Sequence, residues 1–222
     1  MTTPIAVDAD SLVRLMRWYY PPGVDKHDLC YPETPQARRL QALLDGMARD
    51  MGLVERLCVG LAPVPDDVLA LGVTVPALRS WSDFVQKLKQ EFPGCGVWNK
   101  TRPQSDPCYS CQIYLPGVDT TGPPPHDAVV CLLSLLAPVY TIYGYHGAPG
   151  DDYWTRFPPL PEPFQDHERR LATLIEAEFG FTRLDKDVLL TPIPDLVPWC
   201  SNLSLGEAKL IDCLLDTEHP DQ

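Results

Sequence analysis

Apolar side chains in the first 93 residues recur every three or four positions, which is the spacing of one face of an α-helix. The first such segment can be capped by Asp8 or Asp10, and Pro21 stops it. Its expected apolar face consists of Leu12, Val13, Leu15, Met16 and Tyr19. The pattern therefore predicts an amphipathic helix between the aspartates and the proline.

Two further helices are predicted in the same third of the chain. Thr34 and Pro35 provide an N-cap followed by a proline in the first turn, and the apolar periodicity after them continues to about residue 61. Ser80 begins the next helix, with a spacing to Asp83 that resembles a capping box, and Pro93 ends it. These three segments make the N-terminal part of the chain helical.

The pattern changes in the middle of the chain, where segments 108–115, 128–136 and 139–145 are short and rich in β-branched, aromatic and apolar residues. Such segments, separated by Gly, Pro and Asp, are typical of an antiparallel sheet. Pro138 indicates a bend or bulge between two strands, because a proline inside a central strand would lose a ladder hydrogen bond. Residues 144–163 contain five prolines, and we expect them to form a long loop.

Helical spacing returns over residues 164–179, where Gly180 is placed as a C-terminal cap. Residues 187–191 are predicted to form one more strand. Ser204 and Glu207 resemble a capping box before a short final helix that begins near Ala208.

The sequence predicts an α+β fold in which an antiparallel sheet of about four to five strands packs against several α-helices. We expect a single domain over residues 1–222, since 222 residues that are 45% hydrophobic can bury one large core. Within it, residues 1–93 form the helical part, residues 94–216 form the sheet and the C-terminal helices, and residues 217–222 form a frayed acidic tail.

The chain is strongly acidic, with a net charge of -12 from 18 basic and 30 acidic residues. An acidic surface repels nucleic acid and anionic lipid, whereas it accelerates the encounter with a basic protein. The N-terminus has no basic segment followed by an apolar run, and the apolar stretch 128–145 is interrupted by polar residues, proline and glycine. We therefore expect a cytoplasmic protein that binds another protein, without nucleic-acid or membrane partners; its oligomeric state is left open.

Since we expect no secretory leader, we expect the eight cysteines to be thiols. Cys58, Cys131 and Cys213 lie in apolar runs and are expected to pack as small hydrophobes. Cys108 and Cys111 form a CxxC motif, which suits a redox pair or half of a zinc site. A zinc site needs a second pair, and its remaining candidates, Cys95, His126 and Cys131, lack motif spacing. We expect two strand-edge cysteines, no metal and no cofactor, while the redox and metal alternatives stay open.

Other candidate chemistry is sparse. His126 and Asp127 are a histidine–aspartate dipeptide of the kind found in metal-dependent phosphohydrolases, but here they follow three prolines and are expected to lead rigidly into a strand. His146 is suited to be a general base or a ligand, and the sequence identifies no partner for it. The glycines of 144–150 lack the lysine of a phosphate-binding loop. We accordingly expect no catalytic residues and no enzymatic activity.

The order of four segments in the second half resembles bacterial immunity proteins from polymorphic toxin systems. The segments are CQIYLP, AVVCLLSLLAPVYTIYGYH, ERRLATLIEAEFGFTRLDKDVLLTPIPDL and GEAKLIDCLLDTE, and the resemblance covers about residues 108–218. It implies paired strands before a helix, a proline-rich strand and a last helix. It also implies a small cytoplasmic antidote that binds and inhibits a cognate toxin.

For such an antidote, we expect the acidic and aromatic residues of 143–154 to form the toxin-binding patch. Aromatic side chains anchor interfaces, and carboxylates can replace the anionic substrate of a basic active site such as that of a nuclease. The patch consists of Tyr143, Tyr145, His146, Asp151, Asp152, Tyr153 and Trp154. The alternatives are a stiff surface connection, a chaperone or adaptor for a secreted effector, and an enzyme with an unrecognised His/Cys site.

Overall fold

The computed structural model describes residues 7–50, 79–103, 105–116, 127–148, 151–198 and 201–216. Several predictions lie outside these residues. They are the second half of the predicted second helix with Cys58, the position of His126, and the C-terminal tail 217–222.

A six-stranded sheet forms the centre of the described structure. Five strands are antiparallel and lie in the order of the sequence, and a short sixth strand pairs in parallel with the start of the fourth. The strands are β1 Gly96–Asn99, β2 Cys108–Tyr114, β3 Ala128–Ser134, β4 Val139–Ala148, β5 Asp151–Arg156 and β6 Thr182–Arg183. The predicted α+β class and antiparallel sheet are confirmed.

Six α-helices are described around the sheet. They are α1 Ala9–Tyr19, α2 Pro35–Asp50, α3 Arg79–Glu91, α4 Glu162–Phe179, α5 Lys186–Leu189 and α6 Leu210–Leu214. The predicted caps explain several ends: the Asp8 carboxylate accepts the Ser11 amide at 2.7 Å, and the Thr34 hydroxyl accepts the Ala37 amide at 3.2 Å. Among the described helices, none has the length and apolarity that crossing a bilayer requires.

Helices α3 and α4 cover one face of the sheet. Trp81 of α3 stacks on Tyr109 of β2 with ring centroids 4.9 Å apart. The Tyr140 hydroxyl of β4 donates to the Glu176 carboxylate of α4 at 2.6 Å. Tyr109 and Tyr140 flank Leu133 in register, so they share its face of the sheet.

The opposite face is joined to α6. The Ser134 hydroxyl at the end of β3 donates to the Leu214 carbonyl at 3.0 Å. In the adjoining layer, the Tyr20 hydroxyl at the end of α1 donates to the Cys213 carbonyl at 2.7 Å. One hydrophobic core contains buried residues of the sheet and of α1, α2, α3, α4 and α6. The sheet therefore lies between helices.

The connection between β3 and β4 bends as predicted at Pro138. Besides donating to α6, the Ser134 hydroxyl accepts the amides of Leu136 at 3.0 Å and Ala137 at 3.3 Å. Pro138 therefore lies between the strands, where its missing N–H costs no ladder hydrogen bond.

The prediction of a loop over residues 144–163 is wrong. β4 continues to Ala148, and Asp151–Arg156 returns beside it as β5. In the sequence, the five prolines are at position 149, between the two strands, and within 158–163, after the hairpin. The returning segment itself contains no proline and carries aromatic and β-branched residues that suit a strand.

Two predictions near the C-terminus are also wrong. Residues 187–191, predicted as a strand, lie mostly in α5, where the Leu189 and Leu190 amides donate to the carbonyls of Asp185 and Lys186. The final helix begins at Leu210 rather than near Ala208. Its cap is Lys209, whose amide donates to Asp212 at 2.7 Å, whereas Glu207 accepts the Ser204 amide within a preceding turn.

Candidate functional site

The seven residues of the predicted patch lie on one hairpin, formed by β4 and β5. β5 is the last strand in the order β1 to β5, so the hairpin lies at one edge of the sheet. Asp151 is paired with Ala148 next to the turn. The hairpin therefore replaces the expected loop as the element that carries the patch.

The alternation of side chains along β4 divides the patch between the two faces of the sheet. Tyr143 and Tyr145 lie on one face, and His146 lies on the other. Tyr143 is buried, with 7% exposed, and its ring meets Phe157 at a centroid distance of 6.3 Å. Tyr145 is half-buried. Tyr143 thus supports the hairpin from within the core, and Tyr145 retains part of its surface.

His146 and Trp154 face each other across the hairpin. They are partners in register, and their rings stack with centroids 5.6 Å apart and an interplanar angle of 21°. The indole also contacts Phe164 of α4 at 5.4 Å, and the Arg156 guanidinium lies 5.2 Å from its centroid. Trp154 is therefore a half-buried anchor that connects the hairpin to the core.

The structure gives His146 a partner that the sequence did not identify. Nδ1 of His146 contacts the carboxylate of Asp127, which lies just before β3 and beside β4. Both side chains are about one third exposed. The carboxylate and the Trp154 stack hold the imidazole in one orientation, which leaves Nε2 as the nitrogen that can exchange a proton or a hydrogen bond with a bound molecule.

Gly144 makes the close approach of this aromatic group possible. A Cβ atom at this position would lie 3.1 Å from both the Trp154 ring and the Leu160 side chain. Glycine in the middle of β4 thus allows the indole to lie over the strand backbone.

Asp151, Asp152 and Tyr153 form the first half of β5, and the structure describes their backbone but not their side chains. Their place in the strand puts two carboxylate-bearing residues next to the hairpin turn. Because β5 is an edge strand, one side of its backbone is not paired within the described sheet.

The CxxC motif does not form a joint site. Cys108 and Cys111 both belong to β2, and their spacing of three places the two side chains on opposite faces of the sheet. Both are buried. They are central-strand rather than strand-edge cysteines, since β2 pairs with β1 and β3.

Cys111 lies directly opposite Cys131 of β3. The contact with the Cys111 thiol, followed by burial, raises the pKa of Cys131 well above its ordinary value. Burial is the main cause that raises the pKa of Cys108, and the Asp216 and Asp106 charges add to it. All three cysteines are buried and pack as small core residues. In the described ranges, no three His, Cys, Asp or Glu side chains come together as a metal site.

No family model, curated protein or solved structure matches the chain. Sequence reasoning had missed Asp127 and Arg156 as parts of the candidate site. Both residues join the site through the pairing of neighbouring strands, and this pairing cannot be read from the sequence without the strand register.

Proposed function

We propose that this chain is an immunity protein of a bacterial polymorphic toxin system, a cytoplasmic antidote that binds and inhibits a cognate, basic toxin. The observation that carries the proposal is the edge hairpin, which combines acidic residues at its turn with half-buried aromatic and imidazole side chains behind them. The net charge of -12 and the resemblance of residues 108–218 to immunity proteins support it.

The parts of the hairpin have different roles in this proposal. Asp151 and Asp152 enter or cover a basic active site in place of its anionic substrate. Tyr145, His146 and Trp154 provide the contact area behind them, because aromatic residues contribute most to interface energy. The free side of β5 offers backbone groups to which a partner strand can add.

The test is binding of the purified chain to the product of the neighbouring open reading frame, measured by size exclusion and by titration calorimetry. Substituting Asp151→Asn and Asp152→Asn together is expected to weaken the complex by about tenfold or more, because both changes remove charge and keep side-chain size. Alanine at Trp154 is avoided here, since that residue also packs on Phe164 in the core.

The matched control substitutes Asp185→Asn and Asp187→Asn. These two exposed aspartates lie at the start of α5, outside the hairpin, and their substitution changes the net charge by the same amount. An equal loss of affinity in both variants would assign binding to net charge rather than to the hairpin. Unchanged affinity in the hairpin variant would exclude the proposed patch.

Inhibition separates the antidote from a chaperone or adaptor. An antidote abolishes the activity of its bound partner, whereas an adaptor keeps the partner soluble and active. The absence of any complex, together with a non-toxic neighbour, would favour an enzyme that uses His146.

A further inference from the structure

A thiol and an imidazole meet at the far end of α3, away from the hairpin. The Cys95 sulfur lies 3.6 Å from Nε2 of His167 in α4. The chain reverses at Gly94, where φ is +82°, and the Cys95 amide donates to the Phe92 carbonyl at 3.1 Å. This turn fixes the half-buried thiol against the first half of α4.

The imidazole is held in place by the same turn. Its ring stacks on Phe92 with centroids 5.8 Å apart and an interplanar angle of 21°. Nδ1 of His167 is buried and has no hydrogen-bond partner among the described residues. The contact through Nε2 is therefore the polar interaction the structure gives to this ring, and Nε2 is the nitrogen positioned to take the thiol proton.

A guanidinium lies beside the pair. Arg170 is 4.8 Å from the Phe92 ring centroid and also contacts the Glu91 carbonyl. Burial raises the pKa of the Cys95 thiol, and the nearby Arg170 charge opposes that effect. The resting thiol is thus protonated at neutral pH, so its reaction requires a base within reach.

We propose that Cys95 and His167 form a nucleophile–base pair that makes Cys95 a modification site for small hydroperoxides. Nε2 of His167 accepts the thiol proton while the sulfur attacks one oxygen of hydrogen peroxide. The S–O bond forms as the O–O bond breaks, and the leaving hydroxide takes the proton from the imidazolium to give water. The sulfur is oxidised by two electrons to sulfenic acid, and the peroxide is reduced.

Cys30 provides an internal comparison. It is exposed, whereas Cys95 is half-buried, and a contact with Asp28 raises the pKa of its thiol. Accessibility alone would make Cys30 the faster thiol. A base that assists Cys95 reverses that order.

The experiment treats the full chain with hydrogen peroxide, traps sulfenic acid with dimedone and quantifies each cysteine peptide by mass spectrometry. The expected result is labelling of Cys95 about tenfold faster than Cys30, from general-base assistance. Equal or faster labelling of Cys30 would overturn the proposal. This comparison uses the unmodified protein, so it does not depend on the folding of any variant.

A second measurement uses His167→Gln, which keeps a polar side chain but removes the base. The rate at Cys95 is expected to fall by about tenfold, with the rate at Cys30 unchanged. Circular dichroism melting confirms that the variant is folded. An unchanged Cys95 rate in folded H167Q would contradict the role of the imidazole.

Discussion

At the residue scale, the Tyr20 hydroxyl connects α1 to the last helix from inside the core. The residue is 1% exposed, and its hydroxyl donates to the Cys213 carbonyl at 2.7 Å. Burial is the main cause that raises the pKa of this hydroxyl well above its ordinary value, so it is a hydrogen-bond donor at neutral pH. The hydrogen bond thus joins two helices through residues that are 193 positions apart in the sequence.

Substituting Tyr20→Phe is expected to lower the free energy of unfolding by about 1–2 kcal/mol, because it leaves the buried Cys213 carbonyl without this donor. Urea unfolding of both proteins measures the difference. Tyr114→Phe is the matched control, since Tyr114 is half-buried and its hydroxyl donates to the Gln112 side chain. If Tyr114→Phe lowers the free energy of unfolding more than Tyr20→Phe does, the buried Tyr20 hydrogen bond does not have the stabilising role assigned to it.

Asp106 gives the chain a pH-dependent stability. Burial, followed by the nearby Asp216 charge, raises the pKa of Asp106 from 3.8 to about 6, although Arg102 contacts both carboxylates. A carboxyl whose folded-state pKa is raised stabilises the fold most when it is protonated. Its contribution is present in full below about pH 4 and is lost as the pH rises through about 6.

Asp106→Asn is expected to reduce the difference in unfolding free energy between pH 5 and pH 7 by roughly 1 kcal/mol. Urea unfolding of wild type and variant at the two pH values tests this. The exposed Asp185→Asn serves as a control with the same charge change. If the difference in unfolding free energy between pH 5 and pH 7 is the same in wild type and D106N, the assignment to Asp106 is wrong.

At the element scale, α4 ends where Gly180 adopts a left-handed conformation with φ +66°. Its amide donates to the Glu176 carbonyl at 2.9 Å, and the chain then turns toward β6. Space is not the constraint here, because nothing lies within 4 Å of where a Cβ would be. The backbone angle alone favours glycine.

Gly180→Ala is therefore expected to cost about 1 kcal/mol of unfolding free energy, and Gly180→Asn less, because asparagine tolerates this conformation better. Thermal or urea unfolding of the three proteins gives the order. Equal stability of the alanine variant and wild type would mean that the helix end can relax into another geometry.

The elements that could be predicted from sequence are those with local signals. For helices, the local signals are capping residues and apolar spacing, which lie within a few residues of each other in α1, α2 and α4. For strands, the signal is a short apolar run, as in β2, β3 and the start of β4. The sequence does not predict β1 and β5, because a strand of only four to six residues carries a weak local signal and is recognised by its hydrogen bonds to a neighbouring strand. Residues 187–191 carry apolar residues that suit a strand, but no strand of the described part of the chain pairs with them, and most of them lie in the short helix Lys186–Leu189 instead.

The candidate site shows the same limit. The aromatic and acidic composition of 143–154 singles out this segment as a candidate. Its division between two faces follows from a hairpin where the sequence predicts a loop. The contact of Asp127 with His146 and that of Cys95 with His167 each join distant positions, 19 and 72 residues apart. Such pairs depend on sheet register and helix docking, which local patterns do not specify.

At the scale of the whole molecule, the acidic charge is the property that most restricts the choice of partner. If it steers a basic toxin to the hairpin, raising the salt concentration from 50 to 300 mM is expected to weaken the complex by about tenfold, mainly through a slower association rate. Surface plasmon resonance at both salt concentrations measures this. Salt-independent association would show that the acidity does not guide binding.

The most direct test of the antidote proposal is bacterial growth when the neighbouring gene is induced with and without this chain. The account predicts that the neighbour alone stops growth, that the wild-type chain restores it, and that the D151N/D152N variant restores it less well than the D185N/D187N control. A toxic neighbour that still stops growth while bound to the wild-type chain would contradict inhibition. A neighbour that is harmless alone would contradict the proposed toxin partnership itself.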